Sequence, residues 1–128
     1  MVEESQRWIE TSDVVSMFPT LVWKFSLKPE LRDAIDVRVM AALEKLRRDH
    51  PILEAGRGWQ SEQSLHELAE FKELTSCVRH AAARILRFLR VGYEAVEITG
   101  CWATVLATGA AHKAHSHPNN YLSGVYYL

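Results

Sequence analysis

The hydrophobic period of this chain changes near Gly92, and that change limits the fold more than any other feature. Before Gly92, apolar residues recur at steps of three and four over 30–50 and again over 64–90, as on the buried face of an amphipathic helix. After it, apolar and polar residues alternate, which is typical of a strand. Because helices and strands occupy largely separate stretches, the order predicts an α+β fold and one domain over residues 1–128.

Both helices have recognisable start and stop signals. Pro29 suits the first turn of a helix over 30–50, since proline is favoured at that position. Ser64 and Glu67 have the spacing of a capping box, which predicts that the second helix begins there and runs to about residue 90. Gly92 is then expected to end it.

Other segments are assigned by alternation and by turn residues. We predict a short helical turn at 14–18 and a loop over 54–64. Strands are expected at TLVWKFSL (20–27), AVEITGCWATVLATG (95–109) and YLSGVYYL (121–128). The chain finishes inside the last of these strands, and an unpaired apolar edge is unfavourable. We therefore expect these residues to be part of a longer protein.

Charge and cysteine content exclude some classes of protein. The formal net charge is −1, which provides no basic field for nucleic acid or an anionic membrane. No apolar run approaches the ~20 residues of a membrane span, and the acidic first residues do not resemble a signal peptide. Cys77 and Cys101 form no CxxC motif, so we expect buried thiols and a cytoplasmic location. Assembly into a homo-oligomer stays open.

Three histidines lie within six residues, at His112, His115 and His117. On an extended strand, residues i and i+2 project to one face, about 6.5–7 Å apart, so His115 and His117 could bind one metal ion. Neutral imidazole suits iron, zinc, copper and nickel. His112 would reach the same ion only if the chain bends near Gly109 and Ala110. A further ligand would have to come from elsewhere.

The segment GxxHxxHxHPNxxLSGVYYL resembles the signature of a family of 2-oxoglutarate/Fe(II)-dependent oxygenases. The stretches FPTLVW and GWQSEQSLH also resemble the N-terminal half of that family. The resemblance implies an N-terminal strand and two helices packed on a double-stranded β-helix, a jelly-roll barrel that is incomplete in this chain. It also implies Fe(II) and 2-oxoglutarate as cofactors. The reaction would hydroxylate a C–H bond of a small molecule or an amino-acid-like substrate.

Carried over residue by residue, the family pattern places His115 at the first metal ligand. His117 stands where the wider superfamily usually has a carboxylate, so it is either the second ligand or a hydrogen-bonding neighbour while His112 binds the metal. The family's distal histidine and 2-oxoglutarate-binding arginine have no counterpart in these residues. We therefore expect the 128-residue chain alone to lack oxygenase activity, and we assign no catalytic residue.

Asn120 and Tyr127 are the candidate cofactor-binding residues. The competing interpretations are a Pro-Asn-Asn turn for the asparagine and core packing for the tyrosine. Trp23 and Trp102 are expected in the core. The loop residues Trp59 and Gln60 suit either a lid or a plain surface loop. His66 and His80 are expected on the second helix, as surface residues or as polar residues whose hydrogen bonds are satisfied.

Other classes of protein remain as alternatives. Gly109, five residues and then HxH match the start of the cupin motif, but Tyr121 and Leu122 stand where its glutamate is expected. A non-enzymatic module could instead pair with a partner through exposed strand edges. A hydrolytic zinc site ranks lowest, because no HExxH motif is present.

Overall fold

The computed structural model describes residues 17–128, so the predicted turn at 14–18 lies mainly outside the described part. Two helices, two short strands and two single turns of 3-10 helix are formed there. We name them α1 (Pro29–Leu46), β1 (Gly58–Gln60), α2 (Lys72–Phe88) and β2 (Thr104–Leu106), with the 3-10 turns at Leu65–Glu67 and Ala69–Phe71 between β1 and α2.

Helix α1 confirms the first helical pattern. Pro29 stands in its first turn, where the absent N–H has no partner to lose. The stripe predicted from the three- and four-residue steps is buried at its centre, at Ile35, Val39, Ala42 and Leu43. The helix ends four residues earlier than predicted, at Leu46, whose side chain is exposed.

The second helix begins later than the capping-box motif predicts. The Ser64 side chain makes no capping hydrogen bond, and Leu68 adopts an extended backbone that interrupts the helical path. The interruption follows from burial, because Leu65 and Phe71 are both in the core. A continuous helix would separate them by one and two-thirds turns and so place their side chains on different faces. The predicted capping box is therefore wrong, and α2 begins at Lys72.

The end of α2 is formed by an arginine and not by the predicted Gly92. Arg90 takes the left-handed backbone, with φ 56°. The N–H of Val91 donates to the carbonyl of Leu86 at 2.9 Å, and the N–H of Arg90 donates to that of Arg87 at 3.1 Å. These two bonds are the Schellman pattern. The stop thus lies two residues before the glycine.

Arg90→Gly is expected to raise the free energy of unfolding by about 0.5–1 kcal/mol, because glycine adopts the left-handed region without the steric cost of a Cβ. Urea unfolding followed by circular dichroism measures it. Arg87→Gly, inside the last turn of α2, is the matched control and should destabilise by about 1 kcal/mol. Equal destabilisation by both variants would contradict the assigned helix end.

Strands β1 and β2 form an antiparallel pair, in which Gly58 faces Leu106, Trp59 faces Val105 and Gln60 faces Thr104. The pairing continues irregularly, with Ser61 N–H donating to the carbonyl of Ala103 and Leu65 N–H to that of Cys101, both at 3.0 Å. The prediction of a plain loop over 54–64 is therefore wrong, and the strand predicted at 95–109 is limited to three residues.

The two faces of this hairpin have different surroundings. Trp59, Cys101 and Ala103 pack against the hydrophobic core under α1. Because side chains alternate along a strand, Trp102, Thr104 and Leu106 lie on the opposite, outer face. The outer face is the one that the histidine segment meets.

The strands predicted at 20–27 and 121–128 are absent from the structure. Within residues 17–128, neither segment makes a backbone–backbone hydrogen bond to a neighbour, so each is held by side chains instead. Trp23 packs edge-to-face on Phe88, with ring centroids 5.8 Å apart, and is half-buried. No barrel is assembled from the described residues, and the jelly roll stays a prediction for the complete fold.

Tyr126 attaches the terminal segment to α1. Its hydroxyl donates a hydrogen bond to Asp36 Oδ1 at 2.7 Å, and its ring packs beside the core. Partial burial and this hydrogen bond raise the pKa of Tyr126 to about 12. The terminal segment is thus fixed by a bond that requires the protonated phenol.

Stability should fall at alkaline pH through Tyr126. Its folded pKa lies above the ordinary value of about 10, so its contribution is complete below pH ~10 and is lost as pH rises toward about 12. Tyr126→Phe should lack this part of the pH dependence. Urea unfolding of the parent chain and of Tyr126→Phe, from about pH 8 to about pH 11, measures the free energy of unfolding of each. Parallel pH dependences would contradict the role of Tyr126.

None of the described helices is both long and apolar enough to cross a membrane.

Candidate metal centre

The chain doubles back after β2. Gly109 takes a left-handed backbone, with φ 81°, and Ala110 N–H donates to the carbonyl of Ala107 at 3.0 Å. Farther on, Thr99 Oγ1 donates to Asn120 Oδ1 at 2.6 Å. Residues 110–120 therefore return along the outer face of the hairpin, and they bring the histidines with them.

A turn of the predicted kind closes the returning segment. Asn119 has φ 66°, a conformation that asparagine tolerates better than most residues. Asn120 Nδ2 donates weakly to the carbonyl of Pro118 at 3.4 Å. The turn interpretation of Pro118–Asn120 is confirmed, and Asn120 fixes the return of the chain to Thr99.

Two adjoining open clefts lie between the returning segment and the hairpin. The larger, of about 440 Å³, has His112, Lys113, His115 and His117 on one side and Gln60, Gln63 and Trp102 on the other. The smaller, of about 250 Å³, continues from His112 and Gln60 along the outer face of the hairpin, past Thr104 and Leu106 to Gly56 and Gly58. The three candidate metal ligands thus line one cleft.

The imidazoles of His115 and His117 are close neighbours. Their ring centroids are 4.8 Å apart and the rings are nearly perpendicular, at 82°. The centroids of His112 and His115 are 6.0 Å apart. His117 also packs on the Trp102 indole, with centroids 5.3 Å apart.

The hydrogen bond of His115 determines its tautomer. Nδ1 lies 2.8 Å from the carbonyl oxygen of Lys113. A carbonyl can only accept, so Nδ1 carries the proton and Nε2 keeps a free lone pair. Metal-binding histidines commonly have this arrangement, since a carbonyl on one nitrogen orients the other toward the ion.

The centroid separation of two of these imidazoles falls in the range expected for two ligands of one ion, which is also the range of ordinary edge-to-face ring pairs. A metal–nitrogen bond of about 2.1 Å places each ring centroid about 3.2 Å from the ion, so ligands at 90° or at the tetrahedral angle have centroids about 4.5 or 5.2 Å apart. The observed 4.8 Å for His115 and His117 lies between these values. The 6.0 Å for His112 and His115 requires a wider angle or a movement of His112.

The fit does not extend to a complete ligand set. Within residues 17–128, no three His, Cys, Asp or Glu side chains are grouped closely enough to hold a metal ion. The cleft therefore places two imidazoles side by side, with a third histidine nearby. Any remaining ligand would be solvent, cosubstrate or a residue outside this group.

Tyr127 and Asn120, the candidate cofactor-binding residues, do not line either cleft. Tyr127 is 84% exposed, and the tyrosine with a specific contact is its neighbour Tyr126. The sequence alternation gave the two tyrosines opposite faces but could not tell which face meets α1.

Trp102 lines the larger cleft, which the sequence did not predict, whereas the sequence already offers Gln60 as a candidate lid residue. The expectation that Trp102 lies in the core is wrong: it is half-buried on the outer face and lines the larger cleft against His117. Gln60 lines both clefts. Alternation along the strand puts Trp102 and Ala103 on opposite faces. The face that contains Ala103 is the more apolar one and packs on the core, so this difference in polarity could have predicted that Trp102 faces outward.

The remaining histidines lie apart from the cleft. His80 is exposed on α2, with Nδ1 3.0 Å from the carbonyl of Ser76. His66 is in a 3-10 turn and not on α2 as predicted; it is partly buried, and its Nδ1 has no hydrogen-bond partner among the described residues. His80 therefore serves as a control histidine in the experiments below.

Neither cysteine is disulfide-bonded in the described structure, and both are half-buried. Burial raises the pKa of the Cys101 thiol. Burial, with a smaller effect of Glu73, raises that of Cys77. Both groups are thus held as neutral thiols beside the core, and the expectation of buried thiols is met only in part.

Comparison with known proteins links the terminal segment to one family. Residues 100–128 match the model of the family described as "Putative 2OG-Fe(II) oxygenase". This confirms the resemblance over a segment that includes all three clustered histidines. The match leaves out FPTLVW and GWQSEQSLH, whose resemblance stays a prediction. Searches of curated proteins and of solved structures gave no match.

Proposed function

We propose that this chain carries the metal-binding segment of an Fe(II)/2-oxoglutarate-dependent oxygenase, with His115 and His117 as two ligands of one ferrous ion. The observation that carries the proposal is the 4.8 Å separation of the two ring centroids. The family match over residues 100–128 supports the choice of metal and cosubstrate. Within the same proposal, the segment belongs to a jelly-roll barrel.

Bound Fe(II) would supply oxidative decarboxylation of 2-oxoglutarate coupled to hydroxylation of a C–H bond. The chain's own residues would hold the ion. The backbone carbonyl of Lys113 orients the His115 ring by accepting a hydrogen bond from Nδ1–H, with 2.8 Å between the nitrogen and the oxygen. The Trp102 indole packs on one side of His117.

Histidine at position 117 changes the charge of the site. Neutral imidazoles donate electron pairs without cancelling charge, so an ion held by His115 and His117 keeps its full double positive charge. A carboxylate in place of His117 would cancel part of it. The proposed site therefore favours an anionic ligand in its open positions, and 2-oxoglutarate is a dianion.

Anaerobic titration of the chain with Fe(II) and then 2-oxoglutarate tests the proposal. Chelation of Fe(II) by 2-oxoglutarate is expected to give a weak visible charge-transfer band, which His115→Ala should abolish and His80→Ala should leave intact. Metal binding without the band would favour a cupin-like protein. Binding of neither would contradict the proposal and favour a non-enzymatic module.

One observation favours the non-enzymatic alternative. Val125 and Tyr127 are 75% and 84% exposed, in a segment that has no strand partner among the described residues. Apolar side chains in an unpaired segment suit β-augmentation by another chain. A sizing column distinguishes this role, since self-pairing would give an oligomer whose population falls on dilution.

A further inference from the structure

We infer that Trp102 is a positioning residue for His117, because its indole holds the imidazole in the orientation that brings it beside the ring of His115. The contacts that carry this inference lie within the protein and require no metal. Only the consequence for metal affinity rests on the proposed function above.

His117 differs from His115 in how its ring is held. His115 Nδ1 is bonded to the carbonyl of Lys113, whereas the ring of His117 has no hydrogen bond within the described part of the chain. Yet His117 is half-buried, while every other residue of 111–120 is exposed. Its ring neighbours are His115, with centroids 4.8 Å apart, and Trp102, with centroids 5.3 Å apart. Of these two, only Trp102 belongs to the hairpin.

The backbone on both sides of Trp102 is fixed by hydrogen bonds. Cys101 N–H donates to the carbonyl of Gln63 at 2.9 Å. Ala103 N–H donates to Ser61 Oγ at 2.9 Å, and the Ala103 carbonyl accepts from Ser61 N–H at 3.0 Å. The side chains of Cys101 and Ala103 also pack against the core. Trp102 therefore extends onto the outer face from a rigid base.

Gly100 leaves the space that the indole occupies. A Cβ at position 100 would lie 3.4 Å from Trp102 Cζ3 and 3.8 Å from Trp102 Cε3, so a branched side chain there would crowd the ring. This contact is the first constraint on where the indole lies, and the contact with His117 is the second.

The contact between Trp102 and His117 is part of an ordered return of the chain. Thr99 and Asn120 are joined by a side-chain hydrogen bond of 2.6 Å. Trp102 comes three residues after Thr99, and His117 comes three residues before Asn120. The two contacts thus share one antiparallel register, and the hydrogen bond keeps His117 opposite the indole.

An indole in this position would favour metal binding without touching the metal. An imidazole that is already held in one orientation loses less rotational freedom when it binds an ion. Residues that lock a ligand's rotamer act in this way on designed and natural sites. Trp102 would therefore raise metal affinity through His117 alone.

NMR of the full chain in EDTA tests the positioning without metal, so failure of the proposed iron site does not affect it. In the parent chain, the ring protons of His117 should give cross-peaks with those of His115 and with the Trp102 indole. Trp102→Leu, and independently Gly100→Val, should lose most of the cross-peak between the histidines, and Trp102→Phe should keep it. Trp23→Leu removes a half-buried indole from another aromatic pair and should leave the cross-peak unchanged. Circular dichroism checks that each variant is folded.

Calorimetry with Mn(II) measures the consequence for metal affinity. Trp102→Leu should weaken binding by about three- to tenfold, as expected for the loss of one aromatic pair, whereas Trp102→Phe should stay within about twofold of the parent chain. An unchanged cross-peak in both Trp102→Leu and Gly100→Val would overturn the inference, as would an equal loss of affinity in Trp102→Leu and Trp102→Phe. If the parent chain bound no Mn(II), the proposed function would fail and the cross-peaks alone would decide the role of Trp102.

Discussion

The double replacement His115→Ala with His117→Ala should weaken Fe(II) binding by at least about a hundredfold, since loss of even an outer hydrogen-bond partner of a metal ligand costs about 10–100-fold. The reason is geometric. The two imidazoles are the pair whose 4.8 Å separation matches ligands of one ion, and His115 already presents Nε2 through its bond to Lys113. Anaerobic calorimetry with Fe(II), or with Mn(II) as a redox-stable substitute, measures the affinity.

Single replacements distinguish the contributions of the three clustered histidines to metal binding. His115→Ala and His117→Ala should each cause most of the loss, because each leaves only one imidazole of the close pair, and the ring of His112 lies farther away, 6.0 Å from that of His115. His112→Ala should have a smaller effect, since its ring lies 6.0 Å from that of His115. His80→Ala, which removes an exposed histidine from α2, should change nothing. A loss with His112→Ala as large as with His117→Ala would move the second ligand to His112.

Ile35→Ala should be the most destabilising single replacement proposed for the core, lowering the free energy of unfolding by about 3–4 kcal/mol. Ile35 is 1% exposed and belongs to the cluster that joins α1 to the 3-10 turns and α2. Its truncation removes buried methyl and methylene groups and leaves a cavity. Since domains are stable by only about 5–15 kcal/mol, the variant loses a large share of its stability. Urea unfolding measures the change.

Val37→Ala is the matched control on the same helix. Val37 is 71% exposed, so its replacement removes little buried surface. The free energy of unfolding should change by no more than about 0.5 kcal/mol. A comparable loss in both variants would mean that α1 does not pack through the face containing Ile35, and the assigned core would be wrong.

Local patterns predicted the helices well, and contacts between distant residues account for the errors. The stripe through Ile35 and Val39 is a property of α1 alone, and it is confirmed. The capping box at Ser64 failed because burial of Leu65 and Phe71 against the core outweighs one capping bond. A cap is worth about 1 kcal/mol, less than a buried aromatic side chain.

Strand pairing was the least predictable feature, because the partner of a strand lies far away in sequence. The segment around Trp59 alternates too briefly to be recognised, yet it pairs with 104–106 some 45 residues later. The segments 20–27 and 121–128 alternate clearly and still form no ladder among the described residues. Alternation reports which side chains share a face, and it does not supply a neighbour to accept the hydrogen bonds.

The sequence indicated the histidines of the candidate site, but it did not indicate which other residues line the cleft around them. Spacing alone indicated that His115 and His117 could share an ion, and the structure places their rings together. Trp102 belongs to the site because the chain doubles back at Gly109, and it carries no motif of its own. Gln60 lies in the stretch GWQSEQSLH and is a candidate lid residue from the sequence. The sequence favoured Tyr127 as the functional tyrosine, but Tyr126 is the one with a specific contact. Only the packing of the terminal segment on α1 distinguishes the two residues.

We propose that two imidazoles of the terminal segment hold a single cation. A crystal structure of the chain grown with Fe(II) under anaerobic conditions, or with Mn(II), examines this most directly. We expect one ion with His115 Nε2 and a ring nitrogen of His117 both about 2.1 Å away. An ion bound by only one of these residues, or the two rings turned to opposite sides of the segment, would contradict it.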